Sequence, residues 1–293
     1  MARFQNSIAL AKSSWQVLRD DKQLTILPLL SLLSTIVLAV AVLVPIGLIA
    51  RDGSGNYDGS KPLVWVLGFL GSVALTYIVV FFNAALVFAA NSRFQGEAVS
   101  VSDAIHAASA RSHVLLPWAI VSATVSVVLR AVEQRGGIIG RIVGSIAGVA
   151  WSVVTFLVLP VLVFEGIGPI AAVKRSGQLF KHTWGENLMT NAGIGIVGFI
   201  GVVAGVVPLL LFLAVGGPIA VLGIALFVLW CVAVLLVTST LTGIFQVALY
   251  RFATGAPVPG FEPAQLSGSF RTRARTPGRG LFGGGSGGGF PAA

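Results

Sequence analysis

The chain has 293 residues, of which 56% are hydrophobic and only 10% are charged, whereas an ordinary soluble domain carries about 25% charged residues. So few charges cannot cover a water-soluble surface, and the apolar residues come in runs of about 18 or more, enough to cross the hydrocarbon of a bilayer. The composition therefore excludes an ordinary soluble domain. The net charge of +9 would suggest nucleic acid in a soluble protein, but we interpret it here as membrane topology.

The predicted fold class is all-α: a polytopic transmembrane helix bundle of about six spans with amphipathic surface helices on the cytoplasmic side. Residues 1–23 predict an amphipathic interfacial helix, because Phe4, Ile8 and Trp15 share one stripe from which Lys12 and Arg19 are absent. Residues 24–255 predict the six-helix domain. Residues 256–293, rich in Gly, Pro and Arg, predict a disordered cytoplasmic tail.

The spans are predicted from the apolar runs. They are 24–49, 62–90, 113–131, 138–164, 188–215 and 219–250. The third is the weakest because Arg130 and Glu133 close a short apolar stretch, so a re-entrant segment and five spans are the alternative. Gly216, Gly217 and Pro218 predict a tight turn between the last two spans.

The basic residues predict the orientation. With the N-terminus inside, fourteen of the nineteen Lys and Arg residues lie on the inner side of the membrane. The five outer ones are Arg51, Lys61, Arg130, Arg135 and Arg141. The positive-inside rule then predicts both termini in the cytoplasm and the protein in the cytoplasmic (inner) membrane. On that inner side, residues 102–112 and 169–183 predict two further amphipathic surface helices.

Glycines recur at four-residue spacing in the fourth span and again in the fifth. The predicted helix-packing residues are Gly136, Gly140, Gly144, Gly148, Gly198, Gly201 and Gly205. Small residues at this spacing let helix backbones approach closely in lipid, so we expect the fourth and fifth spans to pack together. The alternative is that glycine is simply common, with 36 in the chain.

Polar residues inside the spans are the candidates for a solute path. The third span aside, no Asp, Glu, Lys, Arg or His lies near the centre of a predicted span, which disfavours a proton-coupled carrier. The remaining polar residues are Asn83, Gln246, Thr238, Ser239 and Thr242. They could line a polar path, or they could simply form hydrogen bonds between helices.

Three ionisable residues are candidates for chemistry on the inner face: Glu165, His182 and Glu186. His182 and Glu186 have the i, i+4 spacing of a shared metal, but two ligands are weak evidence, and polar residues on wet loops are the alternative. The sequence contains no recognisable catalytic motif. We therefore predict no catalytic, cofactor-binding or metal site, no cofactor, and a protein that is not an enzyme.

Two stretches carry a resemblance to known proteins: DDKQLTILPLLS at the first span and FLVLPVLVFEGIGPIAAVKRSGQLFKHTWGE around the fourth. Over about residues 3–255 the chain resembles a family of bacterial six-span proteins known only as a domain of unknown function. It is more distantly similar to the membrane domain of glycerophosphodiester phosphodiesterases, whose catalytic barrel is missing here. The resemblance implies that Pro160, Glu165 and the helix 169–183 recur in the family, and it implies no activity.

These patterns leave three interpretations open. The first is a non-enzymatic accessory or scaffold in lipid or envelope organisation; the second is a permease or channel for a small or lipid-like solute; the third is a membrane enzyme. The expected partners are membrane lipids, through anionic headgroups, and a membrane-protein partner or a second copy of the chain. We expect no nucleic acid, because the basic tail has only Phe270 and Phe282 near its arginines as stacking platforms.

Overall fold

The computed structural model describes residues 25–51, 61–184 and 193–259. Its helices are α1 (Ile26–Ile49), α2 (Pro62–Phe94), α3 (Val101–Ala110), α4 (Ser112–Arg135), α5 (Gly137–Thr155), α6 (Val158–Glu165), α7 (Pro169–Trp184), α8 (Gly193–Val215) and α9 (Gly217–Ala253). This helical bundle confirms the predicted fold class. The predicted helix within 1–23 and the tail from residue 260 onward lie outside the described residues.

In the part of the chain that the structure describes, five helical segments are long and apolar enough to cross a membrane: α1, α2, α4, the α5–α6 pair and α9. The third predicted span is among them, as α4. The fifth predicted span corresponds to α8, which contains a shorter apolar stretch, Gly201–Ala214. The turn predicted before the last span is confirmed, because Gly216 and Gly217 have positive φ angles of 75° and 59°, a conformation that glycine adopts without a Cβ clash.

Neighbouring helices pair as three antiparallel hairpins. In the first, formed by α1 and α2, Lys61 Nζ donates to the carbonyl oxygens of Ile49 and Arg51 at 2.7 and 2.8 Å. The second hairpin is α4 with α5, which turn at Gly136 and Gly137. The third is α8 with α9.

One end of the bundle, which we call the basic end, carries the C-terminal ends of α2 and α9 together with α7. Its cations are Arg93, Arg111, Lys174, Arg175, Lys181 and Arg251.

The exposed large hydrophobic residues form a band across the long helices. On four helices they cover ranges of equal length: residues 63–79 of α2, 116–132 of α4, 138–154 of α5 and 219–235 of α9. Each of these ranges is about 24 Å long at 1.5 Å per residue, against about 33 Å for residues 26–48 of α1 and about 21 Å for residues 199–213 of α8. These lengths are of the order of the hydrocarbon thickness of a bilayer. Among the described residues outside α1, α2, α4, α5, α8 and α9, Ile170 is the one large hydrophobic residue that is exposed. We call this region the apolar band.

The buried core lies beside the apolar band, at the basic end. The helices α2 and α9 have 33 and 37 residues, about 50 Å and about 56 Å, so they are longer than the band is thick. Their last portions, residues 84–94 and 240–251, are buried among α3, α6 and α7. We call this packed region the collar. It also takes in Leu115 and Trp118 from the start of α4.

The helix α7 belongs to the collar. Its buried stripe is Ala172, Ser176, Leu179 and Phe180, at i, i+4, i+7 and i+8, and it faces α6 and the ends of α4, α5 and α9. In the same helix Ile170 is exposed and Ser176 is buried. The protein therefore covers most of the apolar face that was expected to rest on lipid.

A break separates α5 from α6, and a serine from α7 fills it. Proline at position 160 has no N–H and cannot continue the α5 hydrogen-bond ladder, so the helix ends at Thr155 and restarts at Val158. The Ser176 hydroxyl donates to the Val154 carbonyl at 2.6 Å and accepts from the Leu157 N–H at 3.3 Å. One fully buried hydroxyl thus supplies partners for two backbone groups that the break leaves without an α-helical bond.

The helices α2 and α9 end in the same way. In α2 the Glu97 N–H donates to the Ser92 carbonyl and the Gly96 N–H to the Arg93 carbonyl. Corresponding bonds run from Ala256 to Arg251 and from Gly255 to Phe252, and both glycines have positive φ. This is the Schellman helix ending.

Candidate functional site

The most connected polar side chain in the collar is Glu165. It is the last residue of α6, and the helix stops there because Gly166 turns the chain into the left-handed region with φ 65°. Its Oε1 accepts from Arg175 Nε at 3.2 Å and from Tyr250 Oη at 3.2 Å. The carboxylate therefore ties α6 to α7 and α9. The Phe164 ring packs beside the Tyr250 ring, with centroids 5.3 Å apart.

A second guanidinium group lies on the other side of this turn. Arg111, which precedes α4, reaches across to Gly166, and a Cβ added at Gly166 would lie 2.6 Å from Arg111 Nη1. Arg111 and Arg175 therefore bracket two consecutive residues, Glu165 and Gly166. Ser112, the residue after Arg111, accepts a hydrogen bond from Tyr77 Oη at 3.1 Å, which holds the start of α4 against α2.

The ends of α2 and α9 are joined by Arg251. Its Nη1 donates to Asn91 Oδ1 at 2.8 Å, and its Nε donates to the Pro257 carbonyl at 3.0 Å. Its guanidinium carbon lies 6.0 Å from the centroid of the Phe94 ring, a cation–π distance. Arg251 is buried, so its donors hold the collar together and fix the chain that leaves α9.

The inner-face candidates meet this cluster only in part. Glu165 lies at its centre. The side chain of His182 and the whole of Glu186 lie outside the described residues. In the part of the chain that the structure describes, no three His, Cys, Asp or Glu residues come close enough to hold a metal ion.

The candidate path residues lie on α2 and α9. The Thr238 and Thr242 hydroxyls donate to carbonyls four residues earlier in α9, at 2.7 Å each. Such bonds leave the hydroxyl donor with no proton to offer a solute. Asn83, Ser239 and Gln246 are half-buried, and no hydrogen bond joins Asn83 to Gln246 within the described residues.

The candidate packing glycines contact different helices from the ones expected. A Cβ at Gly140 or Gly144 would meet Val132 or Glu133 of α4, so this stripe faces its own hairpin partner. Gly136 lies in the α4–α5 turn. Gly148 has open space around its missing side chain.

The fifth-span glycines contact α9. Gly201 meets Val234, Gly205 meets Trp230, and Trp230 Nε1 donates to the Gly201 carbonyl at 2.8 Å. The surroundings of Gly198 lie outside the described part of the chain. The expected pairing of the fourth and fifth spans is therefore replaced by two separate hairpin contacts, because each span packs on its neighbour in sequence.

Sequence reasoning missed Arg111, Arg175, Tyr250, Arg251 and Ser176. The signal for Tyr250 and Arg251 was present, since they end an apolar run of full spanning length, where polar side chains meet the edge of the membrane. For Ser176 there was none, because a serine among basic residues on an amphipathic helix is expected to face water.

The comparisons with known proteins give a family and no activity. No curated protein and no solved structure matches the chain. The expected distant likeness to glycerophosphodiester phosphodiesterases therefore stays a prediction. One family model matches residues 63–260, which is more than half of the chain and includes α2, the collar and α9. The chain thus belongs to the family of unknown function designated DUF6159.

Proposed function

We propose that this integral membrane protein is a non-enzymatic accessory or scaffold of the cytoplasmic membrane, concerned with lipid or envelope organisation. In this proposal the basic end faces the cytoplasm and attracts anionic lipid headgroups. The observation that carries it is the division of the molecule into an apolar band of bilayer thickness and a packed collar that bears six of the cations. A cation near an anionic leaflet gains about 1 kcal/mol of attraction.

The polar contacts of the collar support a structural role. Glu165, Arg251 and Ser176 all use their polar atoms to join helices. None of these contacts resembles a nucleophile with its base, or a pair of carboxylates. An accessory protein needs a stable surface at the membrane edge, and these side chains supply it.

The alternative is a permease or channel for a small or lipid-like solute. Its support is that Asn83 and Gln246 are half-buried amides on neighbouring helices. It ranks second because the Thr238 and Thr242 hydroxyls are bound to their own helix. A flux of solute through proteoliposomes that stopped in Gln246→Leu would favour this alternative over the scaffold.

The proposal is tested by the lipids that accompany the full chain out of the membrane. We expect purification in lipid nanodiscs to enrich anionic phospholipids over their share of the source membrane. The double variant Lys174→Gln with Lys181→Gln should lower this enrichment, whereas Arg135→Gln with Arg141→Gln, the same charge change at the opposite end, should not. An unenriched lipid profile for the wild type, or equal effects of the two doubles, would contradict the proposal.

A further inference from the structure

Arg111 and Arg175 have hydrogen-bond donors that no residue described by the structure accepts. A guanidinium group carries five N–H donors. Arg175 donates to Glu165 through Nε, and 42% of its side chain is exposed. Arg111 is half-buried beside Gly166 and forms no ion pair with any residue that the structure describes. Two cations against the single carboxylate of Glu165 leave an excess of one positive charge. The cluster is therefore able to hold an anion.

The position of the cluster indicates where that anion comes from. The exposed apolar face of α4 begins at Leu116, five residues after Arg111 and about 7 Å along the helix. On α7, Ile170 is 71% exposed one turn and a half before Arg175. Exposed apolar side chains thus lie within five residues of both arginines. A bilayer that covered these side chains would place the cluster at the level of the phospholipid headgroups.

We infer that Arg111 and Arg175 form a site for the phosphate group of a phospholipid, seated over the Glu165–Gly166 turn; this inference rests on the proposed function. The flat guanidinium fork matches two phosphate oxygens at once, which an ammonium group cannot do. Gly166 is part of the site, because a side chain there would displace the Arg111 guanidinium. Glu165 orients Arg175 and leaves the outer donors of its guanidinium for the phosphate.

The test compares variants of the full chain that lose the same charge. Arg111→Gln and Lys174→Gln each remove one cation from the basic end, and Lys174 is exposed on α7. Native mass spectrometry of the protein released from vesicles of phosphatidylglycerol and phosphatidylcholine counts the phospholipids that stay bound. We expect Arg111→Gln to lower occupancy about tenfold, equivalent to 1.4 kcal/mol, and Lys174→Gln to lower it less than twofold. Arg111→Lys, which keeps the charge and loses the fork, should fall between them.

The possible outcomes separate the site from the general attraction. Equal losses in Arg111→Gln and Lys174→Gln would overturn the site and leave the proposed function standing, whereas no enrichment of the anionic lipid in the wild type would overturn both. Inorganic phosphate distinguishes the two sources of the ligand. Displacement of the bound lipid by millimolar phosphate from the wild type, and not from Arg111→Gln, would support the site and assign it to free phosphate. Retention of lipid under phosphate assigns it to the headgroup.

Discussion

The collar and the apolar band hold their helices together by different means. In the collar, helices that are distant in sequence meet through buried side chains and polar bonds, as when Arg251 binds Asn91 or Gly243 admits Leu86. In the band, each described glycine contact joins the two helices of the same hairpin. Gly71 contacts Val42 in the first hairpin, Gly140 contacts Val132 in the second, and Gly223 contacts Phe212 in the third. The collar therefore joins the hairpins to one another, and the band leaves each hairpin with its own contacts and a surface for lipid.

This difference has a physical reason. Lipid tails are as apolar as leucine, so the hydrophobic effect does not bring helices together inside the band, and close packing of small residues has to do so. Near the headgroups water is available, so burial of apolar surface again stabilises contacts between helices. Hydrogen bonds between side chains there replace hydrogen bonds to water, so each adds only a modest net stability. We therefore expect substitutions to act through different mechanisms in the two regions.

The largest effect is expected from truncating a buried leucine of the collar. Leu249 is fully buried, whereas Leu235 on the same helix is 60% exposed. Leu249→Ala should lower the free energy of unfolding in detergent by about 2–5 kcal/mol, because it leaves a cavity. Leu235→Ala should change it by less than about 0.5 kcal/mol, as a surface substitution does. Similar losses for the two variants would remove the distinction between collar and band.

A smaller loss is expected when the helix break loses its serine. Ser176→Ala leaves the Val154 carbonyl and the Leu157 N–H without their partner, which should cost about 1–3 kcal/mol. Ser152→Ala is the control, because that exposed hydroxyl bonds only to the Val149 carbonyl of its own helix. Thermal unfolding of both variants in the same detergent measures the difference. If Ser176→Ala unfolds at the wild-type temperature, the buried hydroxyl does not stabilise the break.

Two glycines of the band should respond to alanine with opposite signs, and the smaller effect is expected at Gly148. Gly140→Ala places a methyl group against the Val132 carbonyl, so it should destabilise the α4–α5 hairpin by about 1–3 kcal/mol despite the better helix propensity of alanine. Gly148→Ala enters open space and should stabilise by up to about 1 kcal/mol. A stabilising Gly140→Ala, measured by thermal unfolding, would show that the close approach is absent.

Much of the fold could be predicted from the sequence, and the site only in part. The length and hydropathy of the apolar runs predicted the long apolar helices, because crossing a bilayer requires such runs. Gly216 and the two residues after it predicted the turn between the last two spans. The glycine spacing indicated close contacts between helices. The spacing does not say which helix packs against the glycines, so the predicted partner helix of Gly140 was wrong. Ser176 and Arg111 could not be found because their roles depend on a break and a turn that other segments create.

The orientation of the basic end is tested most directly by labelling cysteines in intact cells. Native Cys231 is first replaced by alanine, and single cysteines are introduced at Gln178 and Gln134, which are exposed on α7 at the basic end and near the end of α4 at the opposite end. A membrane-impermeant maleimide added from outside should label Gln134→Cys and leave Gln178→Cys unlabelled until the cells are opened. Labelling of Gln178→Cys in intact cells, with Gln134→Cys protected, would place the collar outside the cell and contradict the cytoplasmic orientation.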